Sequence, residues 1–202
     1  MRDLYDRAVR FAQKGDIESF FNLIVANPGL VKYKDEFGTN ILIEIVALSD
    51  ISVIKRLVEM GADVNLLDDE GATAMHMLVN NKASGNLAKI KLLIDSGFDL
   101  EIAGYNGWKP LHEAVFRNRY DVVELLLNNC ADINSRTALD NEKTSLMIAA
   151  QRNSLRMVKF LVGHGADVDL KDTYVRKANC YAGVVFGWRV RCYLTSVTKS
   201  RG

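Results

Sequence analysis

The sequence predicts an all-α solenoid of stacked helix–turn–helix units joined by β-hairpin fingers, and three observations carry that expectation. One pentapeptide recurs as GADVN (Gly61 to Asn65), GFDLE (Gly97 to Glu101), CADIN (Cys130 to Asn134) and GADVD (Gly165 to Asp169), at steps of 36, 33 and 35 residues. Each copy follows an apolar stripe at helical spacing, as in Val122, Val123, Leu125 and Leu126. A shorter apolar face precedes that stripe, as in Leu111, Ala114 and Val115. Neither stripe can be buried by its own helix, so neighbouring pairs must stack into one continuous core.

The segments between these stripes carry a second repeated pattern. GYNGWKPLHEAV (Gly104 to Val115) and DDEGATAMHMLV (Asp68 to Val79) match D-x-x-G-x-T-P-L-H-x-A-A best. DEFGTNILIEIV (Asp35 to Val46) keeps the Asp and Gly, and LDNEKTSLMIAA (Leu139 to Ala150) keeps Thr-Ser-Leu and the paired alanines. A first, capping-like unit reads RAVRFAQKGDIESFFNLI (Arg7 to Ile24), with Gly15-Asp16 at its break. On these motifs the chain resembles the ankyrin repeat family, whose period is about 33 residues. The resemblance implies an ankyrin repeat domain over residues 1–180, with units near 5–34, 35–67, 68–103, 104–136 and 137–171. Residues 172–202 then form a degenerate C-terminal cap or a basic tail.

Gly61, Gly97 and Gly165 fall just past the second helices, where a left-handed residue ends a helix at low cost. Cys130 occupies that slot once, at a strain on the order of 1 kcal/mol. The 36-residue step arises from extra residues around Ala83 to Asn86, which lengthen one turn, and the 35-residue step from two extra residues near Arg136 to Leu139, which lengthen one finger. Small side chains at Ala114, Ala149 and Ala150 let first helices approach closely.

Composition excludes several classes. The apolar share of 49% and charged share of 25% are those of a globular chain, and no apolar run approaches the roughly 20 residues of a membrane span. The N-terminal stretch lacks a secretory pattern, and Cys130, Cys180 and Cys192 are an odd number without CxxC, so reduced thiols in a cytoplasmic or nuclear protein are expected. The net charge of +1 hides an asymmetry: residues after Leu170 hold seven bases and one acid, a net of +6, leaving −5 on the rest. After Asp172 the repeat fails. TYVRKANCYAG has the makings of a sixth first helix, whereas VFGWRVRCYL alternates like a strand, with Phe186, Trp188, Val190, Cys192 and Leu194 on one side. A cap, a partner-binding extension and a variant terminus all fit this segment.

No residue carries a catalytic assignment. His76 and His112 occupy the histidine slot of the family's motif, where the resemblance implies an imidazole linking the turn's backbone to the neighbouring loop. No phosphate loop, nucleophile elbow or HExxH helix occurs, and the acids of the turns lack EF-hand spacing, so neither a cofactor nor a metal is expected. The acids read as turn formers.

The family resemblance implies docking of a partner protein on the concave face, formed by the fingers and the exposed side of the first helices. Carried over by position, the variable slots include Phe37, Asp69, Tyr105, Trp108, Glu113, Phe116, Arg117 and Arg152, together with Glu44, Met77, Lys143 and Ile148. Tyr105, Trp108, Phe116, Arg117 and Tyr120 combine the residue types that dominate interface hot spots, and an acidic rim from Glu36, Asp69, Glu70, Glu113 and Asp140 is expected around them. The function so implied is that of a protein-binding adaptor or scaffold, a monomer without enzymatic activity. A stoichiometric inhibitor or immunity-type protein is the alternative, and nucleic-acid binding through the tail a weaker one.

Overall fold

A computed structural model of the chain describes residues 1–81, 86–183 and 187–201. It divides into two compact units, Met1–Tyr105 and Asn106–Gly202. The lengthened turn expected at Ala83 to Gly85 and the placement of Phe186 lie outside the described residues.

In the first unit α1 (Arg2–Gln13) pairs with α2 (Ile17–Ala26), α3 (Ile41–Ile45) is followed by α4 (Ile51–Glu59), and α5 (Ala74–Asn80) pairs with α6 (Asn86–Asp95). First helices pack in the order α1, α3, α5, and α4 packs on α6. In the second unit α7 (Pro110–Phe116) pairs with α8 (Tyr120–Asn128), α9 (Ser145–Gln151) with α10 (Leu155–Gly163), and α11 (Ala178–Tyr181) with α12 (Trp188–Arg201). Here α9 lies between α7 and α11, and α10 touches α12. Both units are stacks of helix pairs.

The fingers are turns rather than sheet. Among the described residues the bridging pairs outside strands are Lys34 with Asn40 and Arg136 with Thr144, both antiparallel. The second bridge encloses two more residues than the first, which is the longer finger the spacing predicts, and Leu139 at its tip is 78% exposed.

Each helix ends as its sequence dictates. Gly61, Gly97 and Gly165 have φ of 91°, 87° and 94°, and Cys130 takes the same conformation at 68°. The N–H of Gly61 donates to Val58 O at 2.9 Å and that of Ala62 to Leu57 O at 3.0 Å, the bond pair of a Schellman motif. Cys130 and Ala131 repeat this pair onto Leu127 O and Leu126 O at 3.1 Å each. Composition did not single out Asn118 and Asn153, which end α7 and α9 with φ of 55° and 53°. Asparagine tolerates the left-handed region because its short side chain bonds locally.

N-termini are capped by Asp16, Asn40, Thr73 and Thr144, each accepting from the backbone N–H three residues on. The short α3 receives a further donor: buried Lys89 extends its Nζ to Val46 O at 3.0 Å, and burial holds its ammonium below the usual lysine range. The core is formed by fully buried Phe20, Ile41, Leu57 and Met75 in the first unit and by Ala114, Val123, Leu126, Ala149 and Leu161 in the second. Leu125, expected in the stripe, is half-exposed, so Leu126 is the buried member of that turn.

The strand expected within 186–194 is corrected to helix α12, which buries Val190 and Leu194, four residues apart, on one face. A strand there has no ladder to join, whereas a helix satisfies its own backbone and buries an i, i+4 pair. Asp172 begins this last pair in the register of its predecessors. Asp35 N bonds Thr39 O, Asp68 N bonds Ala72 O and Asp172 N bonds Arg176 O, all at 3.0 Å.

Candidate protein-docking surface

In the second unit the finger at Asn106-Gly107 turns sharply, with φ of 61° and 70°, and Ala138 N donates to Gly107 O at 2.8 Å. A Cβ on Gly107 would meet Leu139 N at 2.6 Å, so only glycine permits the two fingers to lie this close. Trp108 follows directly and is half-buried. Its ring meets that of Phe116, at the far end of α7, edge-on with centroids 5.2 Å apart at 71°. Arg152, the C-cap of α9, sets its guanidinium 4.5 Å from the Phe116 centroid. Arg117, the C-cap of α7, lies 3.8 Å from the Glu113 carboxylate. Burial pushes the Glu113 carboxyl up, and Arg117 partly opposes it. Both arginines stand where a cation suits the helix dipole. A groove of about 350 Å³, lined by Asn106, Trp108, Leu139 and Asp140, opens beside the rings.

Five of the nine expected positions thus gather around two rings: Trp108, Phe116, Glu113, Arg117 and Arg152. Tyr120 belongs to a different cluster among the described contacts. Its ring packs edge-on against Phe160 at 5.6 Å and carries Arg156 at 4.6 Å, while His164 stacks on Phe160 at 4.2 Å. In the first unit Phe37 and Tyr105 are exposed by 60% and 67%, and exposed Asp69 donates its backbone N–H to Phe37 O at 2.9 Å.

Two further acids of the expected rim have basic partners. Glu36 is held by Arg2 in a two-point pair at 2.7 and 2.9 Å, and Asp140 lies 2.9 Å from the Lys143 ammonium. Among the described contacts Arg152 lies over the Phe116 ring, while Asp140 lines the groove beside Trp108. Two expected variable slots are buried, Lys143 at 7% and Ile148 at 2% exposure, in a stack where α11 packs on α9.

His112 is fully buried: Lys109 N donates to its Nδ1 at 3.1 Å, which places the proton on Nε2, directed at Ser135 O at 3.0 Å. That geometry fixes a neutral structural tautomer. His76 Nδ1 and Thr73 Oγ1 share a hydrogen bond of 2.8 Å within the same capping turn. Among the described residues no group of three or more His, Cys, Asp or Glu is arranged to hold a metal ion, and no described helix is long and apolar enough to cross a membrane. The three cysteines are exposed thiols.

Three of the seven bases after Leu170 are held locally, one of them by an acid outside the tail. Lys177 pairs with Asp169 at 2.7 Å, Arg176 with Asp172 at 2.8 Å, and Arg191 donates to Ala182 O at 2.9 Å.

Stacked helix pairs with hairpin-like fingers, glycine-terminated second helices and a capped T-x-x-H turn define a helical repeat protein. A family model of ankyrin repeats in three copies matches residues 8–103, 42–137 and 82–172, and the chain belongs to the ankyrin repeat family, a fold of protein-interaction modules. It is 35% identical over 118 residues to the B-cell lymphoma 3 protein homolog of Mus musculus, covering 58% of this chain and 26% of that protein. It is 31% identical over 124 residues to a putative ankyrin repeat protein of Rickettsia felis, covering 60% and 40%. To inversin of Homo sapiens it is 29% identical over 161 residues, 80% of this chain and 15% of inversin. The chain therefore spans 15% to 40% of the length of these relatives.

Proposed function

We propose that the chain is a non-catalytic protein-binding module of a reducing compartment, and that the second unit docks its partner on Trp108 and Phe116 with Arg117 and Arg152. The observation that carries this reading is the edge-to-face ring pair with a guanidinium over it, half-open beside a groove, because aromatic and arginine side chains concentrate binding energy where water is excluded. Helices α11 and α12 serve as the cap of that unit, with α11 packed on α9.

The test is affinity capture of partners from the source cell, followed by titration of the recovered partner against the wild type and the Trp108→Ala, Arg117→Ala and Arg152→Ala variants. Each variant is expected to weaken binding by at least about tenfold while its thermal midpoint stays close to wild type. Unchanged affinity in all three would remove the ring cluster from the interface.

A further inference from the structure

The first unit carries a groove of its own. Its floor and one wall are apolar: Phe37 at the finger, Ile43 on α3 and Met77 on α5, with Phe37 exposed by 60% and Met77 by 40%. Its polar wall is formed by Glu44, Asp68 and Glu70, and the cavity they enclose is about 280 Å³. None of these three carboxylates has a basic partner among the described ion pairs of this unit, in contrast to Glu36 and Glu59, which are held by Arg2 and Lys55. Glu44 also lines a second cavity, together with Asp6, Asp35 and Arg10.

We propose that this groove takes a segment of a partner protein in which a lysine or arginine stands beside an aliphatic residue. The basic head sits among Glu44, Asp68 and Glu70, and the aliphatic groups lie along Phe37, Ile43 and Met77. This deepens the protein-binding reading above, on which it rests, but it concerns a different surface in a different unit.

Charge and shape favour this occupant over others. A long basic side chain lays its methylenes on apolar surface while keeping its charged end among carboxylates, and the groove offers both within one cavity. Exposed Phe37 and Met77 give an apolar ligand something to cover, and an anionic ligand would meet three like charges. Burial raises the Glu44 carboxyl above the usual glutamate range, and Asp35 and Asp68 raise it further, so an arriving cation would stabilise a charge this unit leaves uncompensated.

The probe is an acetylated, amidated peptide of alternating leucine and arginine, with leucine–glutamate and serine–arginine peptides as controls. Binding is read by fluorescence anisotropy and by NMR shifts of the Met77 methyl and the Phe37 and Ala72 amides of the full chain. The leucine–arginine peptide is expected to shift these signals and to bind roughly tenfold more weakly to Glu44→Gln/Glu70→Gln and to Met77→Ala. The leucine–glutamate peptide should leave them unmoved, the serine–arginine peptide should bind more weakly, and Trp108→Ala should have no effect. Equal affinity for the wild type and both groove variants, or shifts confined to the second unit or to α12, would overturn the proposal. A loss caused by Trp108→Ala alone would assign the peptide to the other docking surface instead. Thermal melts of the three variants check that they are folded; since Glu44, Glu70 and Met77 are not fully buried, little change is expected.

Discussion

Asp172 and Arg176 hold each other across one turn. The guanidinium Nη2 lies 2.8 Å from Oδ2, and the Arg176 backbone N–H donates to Oδ1 at 2.7 Å. Tyr174 N adds a bond to Oδ1 at 2.9 Å, and the Tyr181 hydroxyl donates to Oδ2. Burial alone pushes this carboxyl up, but the bonds donated by Tyr181 and Arg176 outweigh it and hold it at about 2, below the ordinary 3.8. A depressed carboxyl stabilises the fold above its unfolded value and loses that contribution as pH falls through the folded one. Protection of α11 and α12 against hydrogen exchange, taken relative to the intrinsic rate at each pH, is therefore expected to fall between pH 4 and 2, and an Asp172→Asn chain should lack that component of the pH dependence. An identical acid profile for the two proteins would contradict it.

Val175 occupies the slot that glycine fills at Gly38 and Gly71, three residues after the turn's aspartate, and it adopts φ of 62°. A β-branched residue pays for the left-handed region with strain of about 1 to 3 kcal/mol. At Gly38 a Cβ would meet Asp69 Oδ1 at 2.6 Å in the next finger, while Val175 is 67% exposed. Val175→Gly is expected to stabilise the second unit by roughly 1 kcal/mol, since glycine's extra freedom in the unfolded chain offsets part of the gain. Chemical denaturation of the two proteins measures it.

Cys130 presents the same physics at a helix end. Its φ of 68° and its Schellman bonds are those of its glycine counterparts, and its side chain is exposed. Cys130→Gly should raise stability by about 1 kcal/mol in a reduced sample. A lower denaturation midpoint in the variant would show that the thiol makes a compensating contact.

Leu125 and Leu126 separate the core from its margin. Leu126 is fully buried and Leu125 is not. Leu126→Ala should cost roughly 2 to 5 kcal/mol, and Leu125→Ala distinctly less. Equal costs in denaturant titrations would contradict the burial difference.

Asn65 ties two repeats together through its side chain, accepting from Asp99 N at 2.8 Å and donating to Gly97 O at 3.1 Å. Asn65→Ala removes both bonds and leaves two backbone groups to water, so a loss of about 1 to 2 kcal/mol is expected, read by thermal melts against Asn65→Asp. The aspartate variant retains the acceptor and should lose less.

The features legible in the sequence are those that one residue or one short spacing imposes. Gly61, Gly97 and Gly165 announce helix ends because the left-handed region admits little else, and Thr73 and Thr144 announce helix starts because a hydroxyl there satisfies an orphan N–H. The period of the pentapeptide fixes the stacking because an unpaired apolar stripe has nowhere else to go. Tertiary structure alone decided which side chains meet. It separated Tyr120 from Trp108, gave Asp140 to Lys143, buried Ile148 and turned an alternating tail into α12. Apart from the Asp140–Lys143 pair, which closes within one finger, those outcomes depend on neighbours in the adjoining repeat, whose surfaces set burial and ring packing at a position whose own sequence reads the same in either environment.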